Sequence, residues 1–443
     1  MHKVYIILLT RGFPIVTLEN MKHDIKKSII GPITSCEICF SKNLTKVISF
    51  GHHAIVQAYR TPENLKDPET SYPLNLYRCA HCGLLQLDYA IDPRIVFPAK
   101  YPYKTGMTDM LVKNFGSLVE LLIHKYRLKR QDLAIDIGSN DGTLLSFFKE
   151  KHLRVLGIEP TNIADIAIKK GIPTIKNFFS ESVARRVIKK YGRAKIIVST
   201  NTFAHINNLY EFLGGIKELL TEDGVFVSES QYLVDIISNS EFDTIYHEHI
   251  RYYSLKPLQK LFTNAGLHLV DAEHIGSSGG SIRVYAMREG QKIDDRAKAR
   301  VAKLIQAEER MGLYQQKTFQ AFAEKSRTAK LNLIELLIRC KKGGARIAGV
   351  GSPGRSNTIL NFSHIDGDYL EYIVERRGSF KIGLYTPGMH IPVVDERKLF
   401  QDQPEYALIL SWHIGGELIK KLRALGYKGK FIIPLPISRI LKI

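Results

Sequence analysis

From residue 132 onward the chain repeats one pattern: a short apolar run, a turn of small residues, then an amphipathic stretch on a helical period. DLAIDIG, RVLGIEP, AKIIVSTN and GVFVSESQ read as strands, and TLLSFFKEK, NIADIAIKKG and NLYEFLGGIKELL read as the helices between them. Parallel neighbours need a crossover, and a helix supplies it, so the alternation predicts a parallel doubly wound sheet. LKPLQKLFTNAG continues it as a helix, and HLVDAEHI and SIRVYAMR read as two closing strands. A second alternation starts at 344 with ARIAGVG and runs through LEYIVE, YALILSW, ELIKKLRALG and KFIIPLP. Between them, residues 294–342 are helical in pattern and rich in charge, and are expected as long surface helices joining the two units. A further helix is expected at about 107–127, with Met110, Leu111, Phe115, Leu118, Val119 and Leu122 on its apolar face. The division expected is an extension at 1–30, a metal module at 31–100, a first α/β unit at 101–290, connecting helices at 291–343 and a second α/β unit at 344–443.

Lys and Arg number 63 against 44 Asp and Glu, a net charge of +19, which favours anionic partners without choosing among them. No run of about 18 apolar residues is present, so no membrane span is expected. Residues 3–9, KVYIILL, are too short for a secretory signal and lack a small-residue cleavage site before Arg11. A cytoplasmic enzyme is the expectation, with residues 1–20 as an extension ahead of the fold.

Four of the five cysteines form two pairs, Cys36-Glu-Ile-Cys39 and Cys79-Ala-His-Cys82. Two such knuckles present four thiolates, which close a tetrahedral zinc shell and leave no open position, so the zinc is expected to be structural. The 39 residues between Cys39 and Cys79 imply an inserted loop or hairpin. Cys340 stands alone in an apolar helical run and reads as core.

Two glycine-rich turns follow strands. The first is Asp136-Ile-Gly138-Ser-Asn140-Asp141-Gly142-Thr143, and Glu159 ends the next strand. An acid there accepts from ribose hydroxyls. Asn140 takes the place of the middle glycine of G-x-G-x-x-G, which a diphosphate needs for close approach, and Asp136 suits a cationic amino group. The turn therefore reads as binding S-adenosylmethionine rather than NAD. The second turn, Gly349-Val-Gly351-Ser-Pro-Gly354-Arg355-Ser356, matches G-x-G-x-x-G and has Glu375 at the end of the next strand. It suggests a dinucleotide, or phosphates of a nucleotide-linked substrate held by Arg355. A polar cluster, FDTIYHEHIRYYS, follows the strand GVFVSESQ and carries Tyr246, His247, Glu248, His249, Tyr252 and Tyr253. At the carboxyl rim of a doubly wound sheet, with His205 on the same rim, a histidine can take a proton and a tyrosine can donate to an enolate oxygen.

Taken in order, C-x2-C, YRCAHCGLLQL, DIGSNDGTLL, GIEP, NTFAHI, FDTIYHEHIRYYS, GGSIRVY, GVGSPGRSNTILN and YTPGMHIPV resemble the S-adenosylmethionine-dependent C-methyltransferases of nucleotide-linked deoxysugars. The resemblance covers about residues 36 to 440. It implies an N-terminal four-cysteine zinc domain, a central Rossmann-like methyltransferase domain and a C-terminal Rossmann-like α/β domain. It implies methyl transfer to C3 of a nucleoside-diphosphate 4-keto-6-deoxyhexose, with His249 as the base that removes the C3 proton and with Tyr246, Glu248 and His205 in support. Cofactor contacts are expected from Asp136, Gly138, Asn140, Asp141, Glu159, Asn177, Phe178 and Asn201. Substrate contacts are expected from Tyr101, Tyr103, Ser281, Arg283, Arg355, Ser356 and Asn357, and zinc ligation from Cys36, Cys39, Cys79 and Cys82. The chain departs from the family pattern at Arg355-Ser356, where Lys-Gly is common, at Glu375 for Asp, and at Ser278 for His. A monomer or homodimer without nucleic-acid or membrane partners is expected. The competing readings are a zinc-containing RNA methyltransferase, an NAD-dependent sugar oxidoreductase using the second turn, and a non-catalytic zinc scaffold.

Overall fold

The computed structural model describes residues 30–441, so the expected extension lies almost wholly outside the described residues. A seven-stranded sheet forms the centre, in the spatial order Leu267–Ile275, Ser281–Arg288, Leu220–Gln231, Ala194–Thr200, Leu133–Ile137, Arg154–Ile158 and Thr174–Ile175. The last five run parallel, and the first two close the sheet as an antiparallel pair. All five residues of Leu133–Ile137 are buried, as expected of a strand covered by helices on both faces. The strand order reverses between Leu133–Ile137 and Ala194–Thr200, and the first glycine turn leaves the sheet there.

The second unit is a six-stranded sheet in the order Val393–Asp395, Ile373–Glu375, Ile347–Val350, Tyr406–Ile409, Lys430–Ile433 and Arg439–Leu441, parallel except for the last strand. Its own reversal lies between Ile347–Val350 and Tyr406–Ile409, beside the second glycine turn.

The insertion between the cysteine pairs is a hairpin. Leu44–Ala54 pairs antiparallel with Ser71–Cys79, and Leu85–Leu87 adds to it. The fourth strand, Arg251–Tyr252, comes from the Tyr/His/Glu cluster of the central unit. Ile48, Phe50, Leu74 and Leu76 of the hairpin share a core with the second sheet, while Cys36, Ile38, Cys79 and Leu84 share one with the central sheet. The module is thus wedged between the two α/β units.

The expected surface helices are Asp295–Arg310 and Gln316–Lys342, but they are more than connectors. Phe319, Phe322, Ala323, Leu333, Leu336, Leu337 and Cys340 recur about every third or fourth residue and are buried in the core shared with the second sheet. Glu308 is fully buried and accepts from the Tyr232 hydroxyl and the Leu255 amide, both at 2.8 Å. The charges flanking these positions had masked the apolar stripe.

Helix Gly354–Ser363 is buried from Arg355 through Ser363 although six of those nine residues are polar. Their partners explain it. Arg355 pairs with Asp243 at 2.7 Å and Glu241 at 3.1 Å, Asn357 donates to Val56 O at 2.7 Å, and Thr358 donates to Ile245 O at 3.1 Å. Trp412, the one tryptophan of the chain, donates its indole N–H to Asp243 at 2.8 Å and stacks under the Arg355 guanidinium. Removing the cation leaves two buried carboxylates without it. Arg355→Ala is therefore expected to cost about 3–5 kcal/mol of stability, with Trp412 fluorescence as the probe in a urea titration.

Candidate active site

The carboxyl ends of both sheets face one cavity of about 750 Å3. That lies within the usual size range for ligand pockets. At one end are Asp136, Gly138, Ser139, Asn140, Glu159, Asn177, Phe178, Asn201 and Thr202; at the other are Pro353, Gly354, Lys381 and Gln57; His205, Tyr246, Glu248, His249 and Tyr101 also line it.

The first turn is tight because a side chain has no room. Gly138 has φ +80°, and a Cβ there would sit 2.3 Å from the Thr202 hydroxyl. Glu159 accepts the Asn140 amide at 3.0 Å and the Thr161 amide at 2.9 Å, which fixes its carboxylate at the rim. Asp136 is buried with Oδ1 unpartnered, and burial beside Glu159 pushes its pKa up to about 8. A cation placed beside it favours its charged form. Ser139 Oγ, Ser230 Oγ, Gln231 Oε1 and Glu248 Oε1 also lack partners and line the same cavity.

The side chains of Asn140 and Asp141 have another task. Asn140 accepts the Thr105 amide at 2.8 Å and donates to Tyr103 O at 3.0 Å; Asp141 accepts the Gly106 amide at 3.2 Å. They fasten the Tyr-rich segment that carries Tyr101 and Tyr103 over the cavity. Asp141 is not part of the cavity wall, so its expected cofactor contact gives way to this fastening.

At the middle of the cavity, rings are filed one after another, stacked from Phe97 to His249 and tilted at Tyr246. Phe97, His205, His249 and Tyr246 follow one another with centroids 5.4, 5.0 and 4.1 Å apart. His249 Nδ1–H donates to Thr244 O at 2.8 Å, which leaves Nε2 with the lone pair. Burial lowers its pKa to about 4, so the ring is neutral near pH 7. Burial, then His249, also holds His205 neutral. Glu248 is pushed up to about 8 by burial, against the opposing pull of Lys381 and the Tyr101 hydroxyl.

Five expected substrate contacts are not in the cavity wall. Arg355 is spent on Asp243 and Glu241. Arg283 is spent on Glu229 and Asn114, with nitrogen–oxygen distances of 2.9 and 3.0 Å. Ser281 donates to Ser277 O, Ser356 to Pro353 O, and Asn357 to Val56 O. Each is a buried polar group that the fold itself must satisfy. Conversely, Phe97, Ser139, Thr202, Ser230, Gln231, Gln57 and Lys381 line the cavity without having been expected. Ser230 and Gln231 were findable, since they end a parallel strand at the ligand-binding edge; nothing in the local pattern marks Phe97, Gln57 or Lys381.

The four sulfurs Cys36, Cys39, Cys79 and Cys82 lie within 4.8 Å of one another, with Cys36–Cys82 and Cys39–Cys79 both at 3.5 Å. Four thiolates about 2.3 Å from one zinc ion require separations of this order.

Against known proteins, residues 276–436 match the family described as "C-methyltransferase C-terminal domain", 116–272 "Methyltransferase domain", and 36–97 "Putative zinc binding domain". C-methyltransferase NovU of Streptomyces niveus is 30% identical over 417 residues, covering 94% of this chain and 98% of that protein. The chain belongs to the C-methyltransferase family. Among solved structures, an S-adenosylmethionine-dependent methyltransferase from Clostridium acetobutylicum aligns with 40% of this methyltransferase and 92% of its own chain, at 14% identity and a TM-score of 0.33. Magnesium protoporphyrin IX methyltransferase from Synechocystis with bound S-adenosylhomocysteine aligns with 41% and 84%, at 13% identity and 0.32. No helix among the described residues is long and apolar enough to cross a membrane.

This C-methyltransferase uses S-adenosylmethionine and carries a zinc-binding domain with four clustered cysteines. The residues present fit both groups: an unpartnered buried acid and a glycine turn for the first, a closed thiolate set for the second. A cation beside Asp136 must displace its proton. Affinity for S-adenosylmethionine is therefore expected to strengthen as pH rises from 6 toward 8, by up to about tenfold per unit, and to fall above that as the cofactor's own α-ammonium deprotonates. Calorimetry across that range should show the slope in the native enzyme and a flat line in Asp136→Asn. Cys79→Ser is expected to lose the bound zinc, read by metal analysis, and to melt at lower temperature.

Proposed function

We propose that the enzyme methylates C3 of a nucleoside-diphosphate 4-keto-6-deoxyhexose, in branched-sugar biosynthesis, through an enolate. The observation that carries this reading is the neutral His249, whose Nδ1–H is committed to Thr244 O and whose Nε2 is left to take a proton. The 4-keto group acidifies the C3 proton, and Nε2 removes it. The electron pair moves into the C3–C4 bond and onto the 4-oxygen, where Tyr246 donates. His205 stacks on the base and holds its plane. Glu248, held largely protonated near neutral pH, donates to a sugar hydroxyl without placing a second charge beside the enolate. S-adenosylmethionine supplies the electrophilic methyl. Asp136 and Glu159 bind its amino and ribose groups, and Tyr101 and Tyr103 keep water from the carbanion.

The far end of the cavity suits the nucleotide diphosphate: Lys381 and the start of helix Gly354–Ser363 are both there. The nicotinamide reading is less well supported. The Ser352 amide of the second turn is taken by Glu375 at 2.6 Å, and Ser352 O accepts from Tyr59 and Lys381. His249→Ala is expected to keep affinity for S-adenosylmethionine and to lose turnover by about 10²-fold or more. Methyl transfer from a 13C-labelled donor, followed by NMR, measures it. Near-native turnover in that variant would remove His249 from the base role.

A further inference from the structure

The cysteine knuckle Cys36–Cys39 reaches the chemistry through one residue. Glu37, inside the knuckle, is buried and ion-pairs with Arg251, which is itself 1% exposed. Arg251 stands two residues after His249. Its guanidinium also donates to Ile206 O and, at 3.3 Å, to Asn207 O, the two residues that follow His205. One cation therefore ties together the metal knuckle, the His205 loop and the His249 segment.

Two further sets of bonds run in parallel. Gln86, fully buried, accepts the Glu37 amide and donates to Ser35 O, both at 3.1 Å. Gln86 itself pairs with Arg251 across the antiparallel strand, and Ile250 O accepts the Leu87 amide at 2.9 Å. Ile250 then donates to Ala204 O at 3.0 Å. On the outer side, Ile38 O of the knuckle accepts the Tyr210 hydroxyl at 2.6 Å and Asn264 at 3.2 Å.

We propose that Glu37 and Arg251 are positioning residues of the methyl-transfer site: the knuckle holds Arg251, and Arg251 sets His249 against His205. This rests on the proposed role of His249. The geometry needed is strict, because a misplacement of about 1 Å at a reacting group can cost on the order of 10²-fold. Arg251 also lines the cavity, but its guanidinium bonds go to Glu37 and to the carbonyls of Ile206 and Asn207, and it acts through these.

Glu37→Gln tests it in the full-length zinc-loaded enzyme. Expected are native zinc content, native affinity for S-adenosylmethionine and an unchanged KM for the keto sugar. The rate per cofactor-binding site should fall about ten- to a hundredfold, with partial recovery in Glu37→Asp, which restores the charge. The ring 15N resonances of His249, now Nδ1-protonated in one tautomer, should shift or broaden, and this readout needs no substrate. Native kcat and unchanged His249 resonances in Glu37→Gln would overturn the proposal. A wild-type enzyme without turnover on keto sugars would instead overturn the reaction, and the His249 resonances alone would then decide the positioning claim. If Glu37→Gln fails to fold, the double variant Glu37→Met, Arg251→Met removes both buried charges together. Low kcat in a folded double variant supports positioning, and native kcat refutes it.

Discussion

Buried charge on the segment 241–254 is the constraint from which the architecture follows. Asp243 and Glu241 at its start both pair with Arg355 of the second α/β unit, and Arg251 near its end pairs with Glu37 of the metal module. A charge withdrawn from water is tolerated only when its partner arrives with it. The segment that carries Tyr246, Glu248 and His249 is thus fixed from both sides, and neither flank can leave without stranding an ion. That is why three modules meet here and why their cores are shared rather than separate.

The electrostatics inside the cavity run the opposite way. There the chain collects groups without resident partners: Asp136, Glu248 and the hydroxyls of Ser139 and Ser230. His205 and His249 are neutral, and burial holds Asp136 and Glu248 above the ordinary carboxylate range. Unpaired polarity at the centre, within a frame of ion pairs, suits a site that receives a cationic donor. The strap from Tyr101 to Met107 links the two regimes, since Asn140 and Asp141 fasten it to the cofactor turn and Arg376 donates to Met107 O.

Much of this could be read in the sequence. The alternation from 132 gave both sheets, and the cysteine pairs, Asp136, Glu159 and the Tyr/His/Glu cluster all came to their expected neighbourhoods. These features are local: a period, a spacing, or a residue at a strand's end. What could not be read was the partner of a buried cation. Arg355 looks like a phosphate ligand beside a glycine turn because its acids lie 112 residues or more away in the chain. Arg283 and Asn357 likewise find partners far along the chain, 54 and 301 residues away, whereas Ser356 is taken up locally by Pro353 O. Arg251 and Glu37, 214 residues apart, went unremarked although each adjoins a motif that was recognised.

The central claim is that His249 removes a proton from C3 of a 4-keto sugar before any methyl moves. Deuterium wash-in at C3 measures that step alone, by NMR in D2O, with S-adenosylhomocysteine in place of the donor so that no methyl can transfer. The account predicts exchange at C3 with the native enzyme and its loss in His249→Ala. Exchange that survives in the variant, or a native enzyme that methylates the sugar without any exchange-competent proton at C3, would contradict it.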